Sequence, residues 1–183
     1  MKHTNLTNRI QKGFTLIEAL VGLALFSIIV VVISSLMNDA KDSLLLSQKE
    51  VLQMQGTMSK MNERYQEEPV TSSVNNRLVI DNRIIAPAYK IDKTGGKIYN
   101  TFGGAVTIVG VNGNGLTWES KLVPVKACDK LVSDTSGLGF ETVTIGTTKL
   151  VYSTLKTSDI STACTAAAKD DVVTILWTRA AST

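Results

Sequence analysis

The sequence predicts an α+β protein in which one long N-terminal α-helix lies against an antiparallel β-sheet. Three observations carry this expectation. Residues 14–37 are an apolar run with a single ionisable side chain, helical spacing of apolar residues continues to about residue 65, and beyond Pro69 the pattern changes to short alternating segments divided by Asn, Asp and Gly.

The run from Phe14 to Met37 is 24 residues long, and Glu18 is its only ionisable side chain. Roughly 20 apolar residues span a bilayer's hydrocarbon core, so the length suits a membrane crossing. Lys2, Arg9 and Lys12 precede it without an acid, which keeps the first residues cytoplasmic and sends the C-terminal part outward. A secretory signal has an apolar middle of only about 7 to 15 residues followed by a small-residue cleavage site, and neither feature is present. The simplest physical reading is a single-pass anchor. Glu18 argues for more than an anchor, because a carboxylate in hydrocarbon costs roughly 2.5 to 3.5 kcal/mol at the centre of a span and normally has a partner.

Gly13, Phe14, Thr15, Leu16, Ile17 and Glu18 read GFTLIE, which resembles the cleavage motif of type IV pilins and the related pseudopilins. The resemblance implies that a prepilin peptidase cuts between Gly13 and Phe14 on the cytoplasmic side and methylates the new amine of Phe14. The leader Met1 to Gly13 is then removed, and Glu18 becomes the fifth residue of the mature chain. It further implies that the Phe14 amine of one subunit meets the Glu18 carboxylate of a neighbour during assembly. The implied partners are the peptidase, the inner membrane before assembly, the pilus assembly machinery, other copies of the chain in a helical filament, and a host or recipient cell surface. The implied fold is the type IV pilin fold, the implied location an extracellular pilus, and the implied role a filament subunit in adherence or conjugative contact. Ser35 stands where many pilins carry a proline that loosens the helix in the filament.

Composition narrows the function. The three leader cations account for the whole formal net charge of +3, leaving 16 bases against 16 acids in the rest of the chain. No basic run interleaved with aromatics follows, so no nucleic-acid partner is expected. The single histidine, His3, lies in the leader, and with two cysteines the mature chain has no ligands for a histidine-based metal site and no histidine for a Ser-His-Asp or Cys-His nucleophile. No enzyme activity, metal or cofactor is expected.

In the soluble half, Met37, Ala40, Leu44, Ser47, Val51, Met54, Met58, Met61 and Tyr65 follow steps of three and four, which places them on one helical stripe. Lys41, Asp42, Gln48, Lys49, Glu50, Gln53, Lys60 and Glu63 fall outside it and are expected to be wet. Pro69 disfavours helix at Glu68, so the helix is expected to stop near Tyr65 to Glu67, after about 75 to 80 Å. Residues 14–37 are then the membrane and filament-core part, 38–67 the amphipathic part, and 68–183 the head.

Residues 70–96 carry turn formers between short apolar pieces and are expected to be loop with one short helix or strand. Ala105 to Val111 and Leu116 to Leu122 flank Asn112-Gly113-Asn114-Gly115, a hairpin signal, and Leu116, Trp118, Ser120 and Leu122 are expected to share the buried face. Lys126 to Ser133 suits a short helix. Glu141 to Ile145, Lys149 to Leu155 and Val172 to Thr178 suit strands, with Val173, Ile175 and Trp177 on one face.

Cys128 and Cys164 both lie beyond the membrane run, and an outward-facing domain in an oxidising compartment is expected to join them. A disulfide-bounded C-terminal region is also similar to pilins. Tyr99 to Val111, YNTFGGAVTIVGV, and the VPVKAC ending at Cys128 resemble the type IVb subgroup of conjugative thin pili and some enteric adherence pili. Two other readings stay open. One is a pseudopilin of a type II-like secretion system; the other is a monomeric anchored binding protein that uses Leu138 to Phe140 and the turn-rich loops for recognition.

Overall fold

The computed structural model describes residues 43–65 and 70–181. Among them a helix over 43–64 (α1) is followed by a head built on one antiparallel sheet. Its strands are β1 (Lys90–Asp92), β2 (Lys97–Tyr99), β3 (Ala105–Val111), β4 (Gly115–Pro124), β5 (Thr142–Ile145), β6 (Thr148–Val151) and β7 (Val172–Arg179), in the order β1-β2-β3-β4-β7-β5-β6. Three short helices complete it: α2 (Asn76–Asp81), α3 (Val125–Asp134) and α4 (Thr157–Ala166). The predicted membrane run, cleavage site and leader lie outside the described residues. Among those described, no helix is long and apolar enough to cross a membrane.

The hairpin forms as its turn chemistry dictates. Val111 pairs with Gly115, and Gly113 and Asn114 take φ of 81° and 65°, the left-handed region that Gly and Asn enter most readily. The two asparagines also tie the turn to the chain that follows α1: Asn112 accepts from the Ser72 N–H at 3.0 Å and Asn114 from the Val70 N–H at 2.7 Å. Asn76 extends the sheet from α2, donating to the Val106 carbonyl at 2.6 Å and accepting from the Ile108 N–H at 2.7 Å.

Alternation along β3, β4, β7 and β5 buries Val106, Ile108, Leu116, Trp118, Ile175, Trp177, Val143 and Ile145 in one core with Met54, Met58 and Met61 of α1. Leu122 departs from the expected face. The β4–β7 register shifts between Ser120 and Val123, Leu122 takes φ 54° and is 53 % exposed, and Val123 takes its place inside. Two other expectations need correction. Lys149 to Leu155 is a strand only to Val151, after which a 3-10 turn over Tyr152–Thr154 carries Tyr152 toward the core. Residues 70–96 hold both a helix, α2, and a strand, β1, where one short element was expected.

The stripe on α1 is wider than hydropathy predicts. Ser47, Met54, Met58 and Met61 are buried as expected, but Leu44 is 43 % exposed, whereas Glu50 and Gln53, expected to be wet, are buried. Glu50 follows Ser47 by three residues and precedes Met54 by four, so helical geometry holds it on the same face. Its polarity is accommodated by partners distant in sequence.

Candidate functional site: the clamp between helix and sheet, and the stapled head

Glu50 is fully buried, and each carboxylate oxygen has its own donor. The Tyr89 hydroxyl donates to Oε1 and the Thr101 N–H to Oε2, both at 2.8 Å. The Thr101 hydroxyl returns a hydrogen bond to the Leu46 carbonyl one turn earlier, at 3.1 Å. Thr101 of the β2–β3 loop therefore grips α1 at both Glu50 and Leu46, and Tyr89, just before β1, adds a second hold on Glu50. Burial pushes the Glu50 carboxyl up from its ordinary value, against the hydrogen bonds from Thr101 and Tyr89 that favour its ionised form. Burial first, and then the neighbouring Glu50 carboxylate, raises the Tyr89 phenol well above its ordinary value, so it remains a neutral donor.

Asn100 shapes the gripping loop. Only 4 % exposed, it donates to Ser120 Oγ and to the Lys121 carbonyl at 2.7 Å each, and accepts from Phe102 and Gly104 N–H at 3.0 and 2.7 Å. All of its hydrogen-bonding capacity is used. The loop comes so close to β4 that a Cβ on Gly104 would stand 1.7 Å from the Lys121 carbonyl oxygen, which is why glycine occupies the position.

At the other end of the sheet Cys128 of α3 and Cys164 of α4 form the expected disulfide, with Cα atoms 6.0 Å apart and both residues buried. Trp177 of β7 donates from Nε1 to Thr135 Oγ1 at 2.9 Å and to the Tyr152 hydroxyl at 3.1 Å. The end of α3 and the β6–α4 connection are thereby fastened to the same indole. Phe140 is 4 % exposed with its ring 6.4 Å from that of Trp177, and Leu138 packs on the core, so Leu138 to Phe140 does not form the recognition surface considered from sequence.

Gly13, Phe14 and Glu18 lie outside the described residues. Sequence reasoning found the cysteine pair but not Glu50, Tyr89, Thr101 or Asn100. The one available signal was the phase of Glu50 between Ser47 and Met54. Among the described residues, no three His, Cys, Asp or Glu side chains are grouped to hold a metal ion.

An amphipathic helix clamped across an antiparallel sheet, with the C-terminal half of the head stapled by a disulfide, matches the type IV pilin build that the GFTLIE motif implies. The chain belongs to the PilS N-terminal family, whose model matches residues 43–180, and the prokaryotic N-terminal methylation motif matches residues 8–34, a span that contains Gly13, Phe14 and Glu18. The crystal structure of a type IVb pilin from Salmonella typhi is similar to it, with a TM-score of 0.57 and 16% identity over 74% of this chain and 99% of that one. At that identity the likeness concerns the fold, and it accords with the type IVb resemblance at Tyr99 to Val111. No curated protein matches the sequence significantly.

Proposed function

We propose that this chain is a structural subunit of a type IV pilus, made as a membrane-held precursor and assembled into a surface filament used in adherence or conjugative cell contact. The observation that carries the reading is the joining, in one chain, of a methylation motif at 8–34 and a pilin head at 43–180. In this reading the precursor sits in the inner membrane with its N-terminus inside and its head outside. The prepilin peptidase removes Met1 to Gly13 and methylates Phe14. Residues 14–37 then move from lipid into the filament core. There a lone Glu18 carboxylate or Phe14 ammonium would be costly, and each is far less so when paired with the other across a subunit boundary.

Glu18→Gln tests this. It removes the charge and keeps the shape, so the variant should accumulate in the membrane at wild-type level while filaments sheared from the surface fall sharply. Wild-type amounts of filament from Glu18→Gln would overturn the assigned role of Glu18. Absence of filaments from wild-type cells that carry the assembly machinery would overturn the subunit reading itself.

A further inference from the structure

A cleft of about 490 Å3 opens beside the clamp, between α1 and the β1–β2 edge of the sheet, lined by Lys49, Gln53, Lys90, Tyr99 and the Asn100 to Gly103 loop. Its donors are unmatched. Neither Lys49 nor Lys90 makes an ion pair or side-chain hydrogen bond among the described residues, and the Glu50 carboxylate next to Lys49 in sequence is buried and occupied by Tyr89 and Thr101. Gln53, 4 % exposed, contributes an amide whose nitrogen and oxygen are both buried without a hydrogen-bond partner. Native structures rarely leave a buried amide unpaired, and here it stands in the wall of a cleft flanked by two free cations. The two unpaired lysines make the cleft complementary to an anionic group.

The chain carries a matching group elsewhere. Several of its acids are already engaged: Asp81 by Arg77, Glu119 by Lys121, Asp134 by Lys130, and Asp92 by the Thr94 and Gly95 N–H groups. Glu63, Glu141 and Asp159 are exposed and outside any ion pair, but each stands singly. Asp170 and Asp171 are adjacent, exposed and without an ion pair, Lys169 beside them included. They form the tip of a two-residue turn closed by paired hydrogen bonds between Lys169 and Val172, with φ of 52° and 60°. The Asp171 carbonyl is held by the Val125 N–H at 3.0 Å. The turn is therefore a firm acidic projection leading into β7, three places beyond β2 in the strand order.

We propose that the Lys49–Lys90 cleft receives the Asp170–Asp171 turn of a second copy of this chain. The two surfaces differ and lie on different parts of the head, so the contact is heterologous: each copy offers a turn to one neighbour and a cleft to another. Such a contact, where its rotation does not close a ring, propagates as a filament. The inference rests on the filament reading and adds to it a specific contact between heads.

The test uses the full chain in cells carrying the assembly machinery. Zero-length carbodiimide coupling, which joins a carboxylate to an amine already in contact, is applied to sheared surface material and to membranes, and the dimer band is digested for mass spectrometry. Peptides joining Lys49 or Lys90 to Asp170 or Asp171 are expected; a dimer band without them, or no dimer band, overturns the proposal. Charge reversal gives a second measure. Lys49→Glu with Lys90→Glu, and separately Asp170→Lys with Asp171→Lys, should each lower sheared filament about tenfold at unchanged membrane level, and the fourfold variant should recover most of it. No loss from either pair, or loss without recovery in the fourfold variant, overturns it. Failure of the filament reading is seen separately, as absence of wild-type filaments.

Discussion

Replacing Glu50 with leucine takes the acceptor from two donors at once. The Tyr89 hydroxyl, on a residue 4 % exposed, loses its 2.8 Å bond with little water to replace it, and the Thr101 N–H loses its own on a half-buried loop. A stranded buried donor costs about 1 to 3 kcal/mol, with Tyr89 toward the top of that range and Thr101 toward the bottom; burying the leucine returns part, for a net loss of about 2 to 3 kcal/mol. In a chain of this size that is roughly 4 to 12 °C in Tm. Glu50→Gln separates the charge from the hydrogen bonds. Its amide oxygen can accept from Thr101 while its nitrogen donates to the Tyr89 oxygen, the arrangement a protonated Glu50 would also make. The sign of the pH dependence follows from the raised pKa of Glu50. The folded chain holds the proton more tightly than the unfolded chain, so the stability linked to protonation is full below the ordinary value of 4.5 and is lost as pH rises through the folded value. The glutamine variant, which cannot ionise, should match wild type near pH 4 and exceed it at pH 8. Thermal unfolding of the detergent-solubilised full chain, followed by near-ultraviolet circular dichroism of buried Trp118 and Trp177, checks both variants. A leucine variant melting with wild type, or a glutamine variant whose advantage shrinks with rising pH, would refute the reasoning.

Cys164→Ser opens the α3–α4 staple and should lower stability by about 3 to 4 kcal/mol, seen as a fall in the urea midpoint that reductant reproduces in wild type; unchanged midpoints would show that the bridge contributes nothing. Gly104→Ala drives a methyl group into the Lys121 carbonyl and should cost more than about 3 kcal/mol, read as loss of folded chain from the membrane or a large drop in Tm; a wild-type Tm would mean the loop is not held against β4. Leu122→Gly relieves a left-handed leucine that is 53 % exposed and should raise stability by about 0.5 to 1 kcal/mol. A lower Tm would mean that Leu122 packs in a way its exposure does not suggest.

Much of the head was legible because its signals are local. The Asn-Gly turn, the alternation from Leu116 to Ser120 and from Val173 to Trp177, and the short helix around Cys128 each lie within a few residues of sequence. Helix α4 was not legible. Its sequence TSDISTACTA is rich in weak helix formers, and no side chain caps it at Lys156; burial of Ile160 and Ala163 and the bridge at Cys164 hold it in place. Strands β1 and β2 have three residues each, too few for alternation to register. Glu50 was misplaced because its partners Tyr89 and Thr101 stand 39 and 51 residues away, and a charge with distant partners reads as a wet position. Leu122 was assigned to the core because an alternation pattern carries no mark of the one-residue shift at a bulge. The cleft at Lys49 and Lys90 was equally hidden, since it forms only where β1 meets α1.

The measurement that bears most directly on the central claim is the intact mass of the protein from native membranes and from sheared surface material, before and after reduction. A filament subunit should begin at Phe14 with one added methyl group and be two hydrogens lighter before reduction, through the Cys128–Cys164 bridge. A mass that still includes Met1 to Gly13, in cells that process other substrates of the peptidase, would contradict the account and leave a membrane-anchored head outside any filament.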